Sequence, residues 1–158
     1  MEKRREGERG IDNVDIFVDL VVNMEQRDYI LREIEKISVM LLTMLGKFKR
    51  IKSKKQFEQE RAMVDQYMEE SSGLTIDKLL SITEEELVSY INVKEGFDPG
   101  NMGLLADLLN VFAENLPENE SRNLNKKSVL ILEYIDHATR TFSLERSLKI
   151  NEIKRKLQ

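Results

Sequence analysis

Cysteine is absent from the 158 residues. That excludes disulfides, a thiolate nucleophile, and any zinc or iron–sulfur centre held by cysteines, and it fits a reducing compartment, the cytoplasm. Proline and glycine are scarce, at two and seven residues, beside 41% hydrophobic and 34% charged content. This balance disfavours a disordered chain and favours helices with charged outer faces over sheets and turns. Histidine occurs once, so chemistry needing two imidazoles has no basis in this chain.

Long hydrophobic runs are missing too. The longest stretch outside the N-terminal region, residues 39–45, is interrupted by Thr43 and falls far short of the roughly 20 residues that cross a bilayer. The opening residues 1–23 begin with the charged run MEKRREGERG, and their apolar part is broken by Asp12, Asp15 and Asp19. A secretory leader needs an uninterrupted apolar core and a small-residue cleavage site. Neither is present, so secretion and membrane insertion are not expected, and the sequon at Asn119, Glu120 and Ser121 is expected to stay unglycosylated.

The formal charge is −4 and the isoelectric point about 5.3, which supplies no global attraction to nucleic acid or an anionic membrane. One segment departs from this average. Residues 47–55 hold six cations, Lys47, Lys49, Arg50, Lys52, Lys54 and Lys55, with Phe48 and Ile51 between them. Such a run offers salt-sensitive phosphate contacts. Its plainer reading is a solvated helix end whose cations complement the helix dipole, and residues 58–95, with ten acidic and three basic side chains, oppose an approaching polyanion.

Periodicity predicts an all-α fold of about seven helices in antiparallel pairs. Ile30, Ile34, Ile37, Leu41, Met44 and Phe48 recur at steps of four and three, the signature of a long amphipathic helix over residues 26–48. Gly46 weakens this helix, and the basic run is expected to carry the chain out into a loop. A second helix covers about 55–71 and ends at Ser72-Gly73. Thr75 caps a short helix through Leu80, and Thr83 with Glu86 forms the capping box of the next, about 84–92. Asp98-Pro99 supplies an N-cap and a proline at the first helical position for a helix reaching about Leu116. After a turn at 117–120, residues 121–141 form another, with Phe142 among its apolar positions. Ser143 caps the last, whose apolar set is Leu144, Leu148, Ile150, Ile153 and Leu157. No run alternates with period two, so no sheet is expected.

This predicts one helical domain over residues 24–158, comprising a long pair at 26–71, short helices at 75–92 and a further array at 99–157. Residues 1–23 differ in texture. They form either a short appended helix or strand, or an extension preceding a native start at Met24.

The segment Asp28-Tyr29-Ile30-Leu31-Arg32-Glu33-Ile34-Glu35-Lys36-Ile37, the turn Leu74-Thr75-Ile76-Asp77-Lys78-Leu79-Leu80 with Glu84-Glu85-Glu86-Leu87, and the closing Thr141-Phe142-Ser143-Leu144-Glu145-Arg146 resemble a bacterial family of small uncharacterised all-helical proteins. The resemblance covers about residues 26–157. It implies a tetratricopeptide-like helical array in the C-terminal half, although the helices at 102–116 and 122–140 lack the tryptophan and proline positions of that 34-residue repeat. The family has no assigned activity, so the resemblance implies no catalytic residue.

A search for chemistry finds little. His137 has Asp136 as its sequence neighbour, about 100° away around a helix and badly placed to orient the imidazole; a lone helical histidine is ordinarily a surface residue. The acidic cluster Glu84, Glu85 and Glu86 is explained by a helix's first turn. Cation-binding loops, Glu-x-x-His pairs, phosphate loops and nucleophile elbows are absent. Among 29 acidic residues nothing selects a catalytic pair. Met40, Met44, Met63, Met68 and Met102 read either as an adaptable groove or as core filling.

The expectation is a non-enzymatic protein interaction or scaffold module without cofactor or metal, which binds a protein partner or a second copy. Its long helix, through Ile34, Leu41 and Met44, either nucleates the core or forms the interface. The alternative is weak nucleic-acid association through residues 47–55. A third class is an enzyme centred on carboxylates or His137.

Overall fold

The computed structural model describes the backbone of residues 2–158 and the side chains of residues 13–158. Seven helices and no strands are present among the described residues: α1 (Glu2–Lys49), α2 (Lys54–Ser72), α3 (Ile76–Ser81), α4 (Glu84–Asn92), α5 (Pro99–Ala113), α6 (Glu118–Thr139) and α7 (Leu144–Leu157).

Local chemistry accounts for most of the boundaries. Ser53, Thr75, Thr83, Asp98 and Ser143 each turn a side-chain oxygen onto an N–H in the first turn of the helix they open, satisfying a donor that has no partner inside the helix. Gly73, at φ 71°, and Arg140, at φ 51°, end α2 and α6 in the left-handed region, and their N–H groups bond back to the carbonyls of Glu69 and Asp136.

The centre of the body is α5. Met102, Leu105, Leu108, Leu109 and Phe112 are buried on a helix apolar on nearly every side, as a central helix must be. It pairs antiparallel with α6, where the Ser128 hydroxyl donates to the Ala106 carbonyl at 2.8 Å. It runs parallel to the C-terminal part of α1, from the Asn101–Ile34 contact at one end to Phe48 against Phe112 at the other, ring centroids 4.4 Å apart. Phe57 of α2 completes a three-ring cluster, 5.6 Å from Phe48 and 5.3 Å from Phe112. Along α7, Ile150 and Ile153 turn inward, and Lys154 pairs with Glu133 of α6 at 2.9 Å.

Residues 2–23 are not a separate element, because α1 crosses position 24 without a break. At its other end α1 runs through Gly46 to Lys49, one residue past the expected end, with Leu45 and Phe48 buried. Phe142, expected among the apolar positions of the helix at 121–141, lies in the α6–α7 connection and is 81% exposed, and the buried stripe of α7 begins later than its apolar set suggests, since Leu144 and Leu148 lie on the surface. Met40, Met44, Met68 and Met102 fill the core, while Met63 is exposed. Among the described residues no helix is long and apolar enough to cross a membrane.

Candidate functional site

The predicted partner-binding residues do not form a surface. Leu41 and Met44 are 0% and 1% exposed, so these two side chains belong to the core. Ile34 is half-buried, and its carbonyl accepts the amide of Asn101 at 2.8 Å.

The basic segment is likewise divided. Lys47 is bound to Glu60 at 2.9 Å. Lys49, Arg50, Lys52, Lys54 and Lys55 are exposed. Phe48 is buried in the ring cluster and Ile51 is half-buried against the core, so neither interleaved apolar side chain is free to stack on a base. The dipole explanation holds for Lys47 and Lys49 in the last turn of α1 but fails for Lys54 and Lys55, which open α2.

His137 is exposed on the outer face of α6, and Asp136 is engaged by the guanidinium of Arg146 rather than by the imidazole. Among the described residues no three His, Asp or Glu side chains lie close enough to hold a metal ion. An open cleft of about 470 Å³ lies between the α3–α4 junction and α6, lined by Leu80, Thr83, Asn123 and Lys127 among others. Its buried cation has a structural task. Lys127 is 2% exposed and donates to the carbonyls of Leu79 at 2.6 Å and Leu80 at 3.0 Å, capping the C-terminal end of α3. Burial pushes its ammonium below the usual lysine range.

The feature that stands apart is the N-terminal part of α1. Every residue from Asn13 to Arg32 is exposed, twenty residues that extend about 30 Å at the helical rise. Val14, Phe17, Leu20 and Met24 are 57–66% exposed. At about 100° per residue, Met40, Leu41, Met44 and Phe48 lie within about 60° of Ile37, and this is the face α1 turns to the body. Carried toward the N-terminus, the same face holds Asp15, Asp19, Asn23 and Gln26 along its centre, with Ile30 among them and Ile16 and Val22 at its edges. Val14, Phe17, Val21 and Met24 lie about 140–160° away from it. The apolar face of α1 therefore reverses along its length. The C-terminal part buries one side in the body; the N-terminal part, exposed all round, carries most of its apolar side chains toward the opposite side.

The junction is held by α4–α5. Gly96, at φ 84°, sits so close to α1 that a Cβ there would lie 2.5 Å from Ile37 Cγ1 and 2.6 Å from the Glu33 carbonyl oxygen. The buried Asn101 amide donates to both Gly96 and Ile34 carbonyls, at 2.7 and 2.8 Å. Tyr29 donates its hydroxyl to Glu95 at 2.7 Å, and this bond to a carboxylate raises the Tyr29 pKa above its ordinary value. Together these contacts set where α1 leaves the body.

Periodicity sought along one continuous face singles out residues 26–48 and passes over 14–24. The angles of the apolar residues about the helix axis, different in the two parts of α1, already carry the reversal in the sequence. No protein-family model, curated protein or solved structure matches this chain.

Proposed function

We propose that this chain is a non-enzymatic interaction module, a helical body that displays residues 13–32 of α1 as a docking arm for protein. The observation that carries the reading is the reversed, exposed apolar face of α1. A helix with apolar side chains at these positions gains free energy when they are covered, and its anchorage at Gly96 and Asn101 gives the arm a defined direction from the body. The cytoplasm is part of the proposal and rests on the cysteine-free composition.

The test compares thermal unfolding of dilute wild type with a Phe17→Glu, Val21→Glu variant and with Leu41→Asp. The arm variant is expected to melt within about 2 °C of wild type, because its side chains already face water. Leu41→Asp is expected to abolish cooperative unfolding, because it puts a charge in the core. A large fall in the melting temperature of the arm variant would mean that Phe17 and Val21 serve the body, and the docking reading would be lost.

A further inference from the structure

Resting on the docking-arm reading, we infer that the occupant of the arm is a second copy of this chain, paired antiparallel along residues 14–24. Val14, Phe17, Val21, Met24, Asp28 and Leu31 follow the three-four spacing of a coiled-coil seam, apolar except at Asp28. An antiparallel pair whose two-fold axis lies at residue 19 sets Val14 opposite the partner copy's Met24 and Phe17 opposite its Val21. The two-fold repeats both layers. One short segment is thus complementary to itself.

Charge decides the direction. In a parallel pair the two copies of Asp28 face each other one layer past Met24, like charges brought together at the end of the apolar seam. In the antiparallel pair the two copies of Asp28 lie at opposite ends of the seam and do not meet. Asp15 and Asp19 lie on the opposite side of the helix from the seam, where they keep the outer face of the pair solvated.

The area is sufficient for a reversible dimer. Val14, Phe17, Val18, Leu20, Val21 and Met24 are 38–66% exposed, and side chains of this kind contribute roughly 60–120 Å² each when covered. Two copies together remove about 700–1,400 Å² from water, a range that brackets the 1,000 Å² or so that a specific interface requires. A dissociation constant on the order of 1–100 μM is the expected scale. The α1–α5 body lies on the face of α1 opposite the seam, so it does not obstruct the pairing.

Because the chain has no cysteine, introduced thiols report the geometry directly. Sedimentation of the full chain over about 1–500 μM is expected to show a monomer–dimer equilibrium. The Phe17→Glu, Val21→Glu variant puts charges into both central layers, and it is expected to weaken the dimer at least about a hundredfold. Mixing Val14→Cys with Met24→Cys under mild oxidation is expected to give the mixed disulfide dimer, with neither variant cross-linking efficiently alone. Self-linking by Val14→Cys overturns the antiparallel arrangement. A dimer insensitive to Phe17→Glu, Val21→Glu overturns the interface. A monomer at every concentration overturns self-pairing but leaves the docking arm standing if the dilute arm variant melts like wild type, whereas a monomer that partitions onto phosphatidylcholine vesicles through the arm overturns the protein-docking reading as well. If that variant melts well below wild type, both readings fall together.

Discussion

Replacing Gly96 with alanine tests the anchorage of α1 most directly. Gly96 has φ 84°, a conformation that costs an L-residue about 1–2 kcal/mol. The added Cβ would also lie 2.5 Å from Ile37 Cγ1 and 2.6 Å from the carbonyl oxygen of Glu33. The second contact is with helix backbone, which has no rotamer in which to retreat, so overpacking adds about 1–3 kcal/mol. The expected loss is about 2–5 kcal/mol, or about 5–20 °C in melting temperature for a chain of this size. Gly73→Ala is the matched control. Gly73 has φ 71°, but its nearest neighbour is the flexible Lys94 Nζ at 3.3 Å, so the cost there is conformational alone, about 1–2 kcal/mol. Both variants should be melted by circular dichroism at a concentration too low for dimerisation. Equal destabilisation of the two within about 0.5 kcal/mol would refute the close approach of Gly96 to α1.

Two further predictions concern the junctions. Lys127→Met keeps much of the buried side-chain volume but removes the ammonium's bonds to the Leu79 and Leu80 carbonyls, leaving Leu80 to the Asn123 amide; it is expected to cost about 1–3 kcal/mol in denaturant unfolding, and an unchanged midpoint would deny Lys127 its part in capping α3. The Tyr29–Glu95 bond is expected to depend on pH. Its raised tyrosine pKa means the folded state favours the neutral phenol, so its contribution is fully present below the unfolded value near 10 and is lost as pH rises through the folded value. Ultraviolet titration of wild type minus Tyr29→Phe isolates this phenol among the four tyrosines. Glu95→Gln should move its transition down toward the ordinary value, and an unmoved transition would show that the carboxylate does not set it.

Much of the helical framework is legible in local signals. Thr83, Asp98 and Ser143 have the residue types and positions of caps, and their oxygens accept the expected N–H groups, at 3.3, 2.9 and 3.2 Å. Caps are decided within four residues, so a linear reading reaches them. The start of α2 lies one residue earlier than periodicity places it, because Ser53, inside a basic run, is its cap. The tetratricopeptide-like arrangement rests on likeness of leucine-rich patterns, which do not specify how helix pairs are stacked.

The sequence by itself determined that this chain is helical, where most of its helices begin and end, and that disulfide and cysteine-metal chemistry are excluded. It also contained the reversal of the apolar face of α1, since side-chain angles follow from helical periodicity alone. Tertiary structure decided what that reversal means. Leu41 and Phe17 are both large and apolar and lie on the same helix, yet one is 0% and the other 66% exposed. The difference comes from α5, which packs along α1 from Ile34 to Phe48 while leaving Asn13 to Arg32 exposed. Burial depends on which surfaces distant segments bring together, and that cannot be read from the residues of one helix.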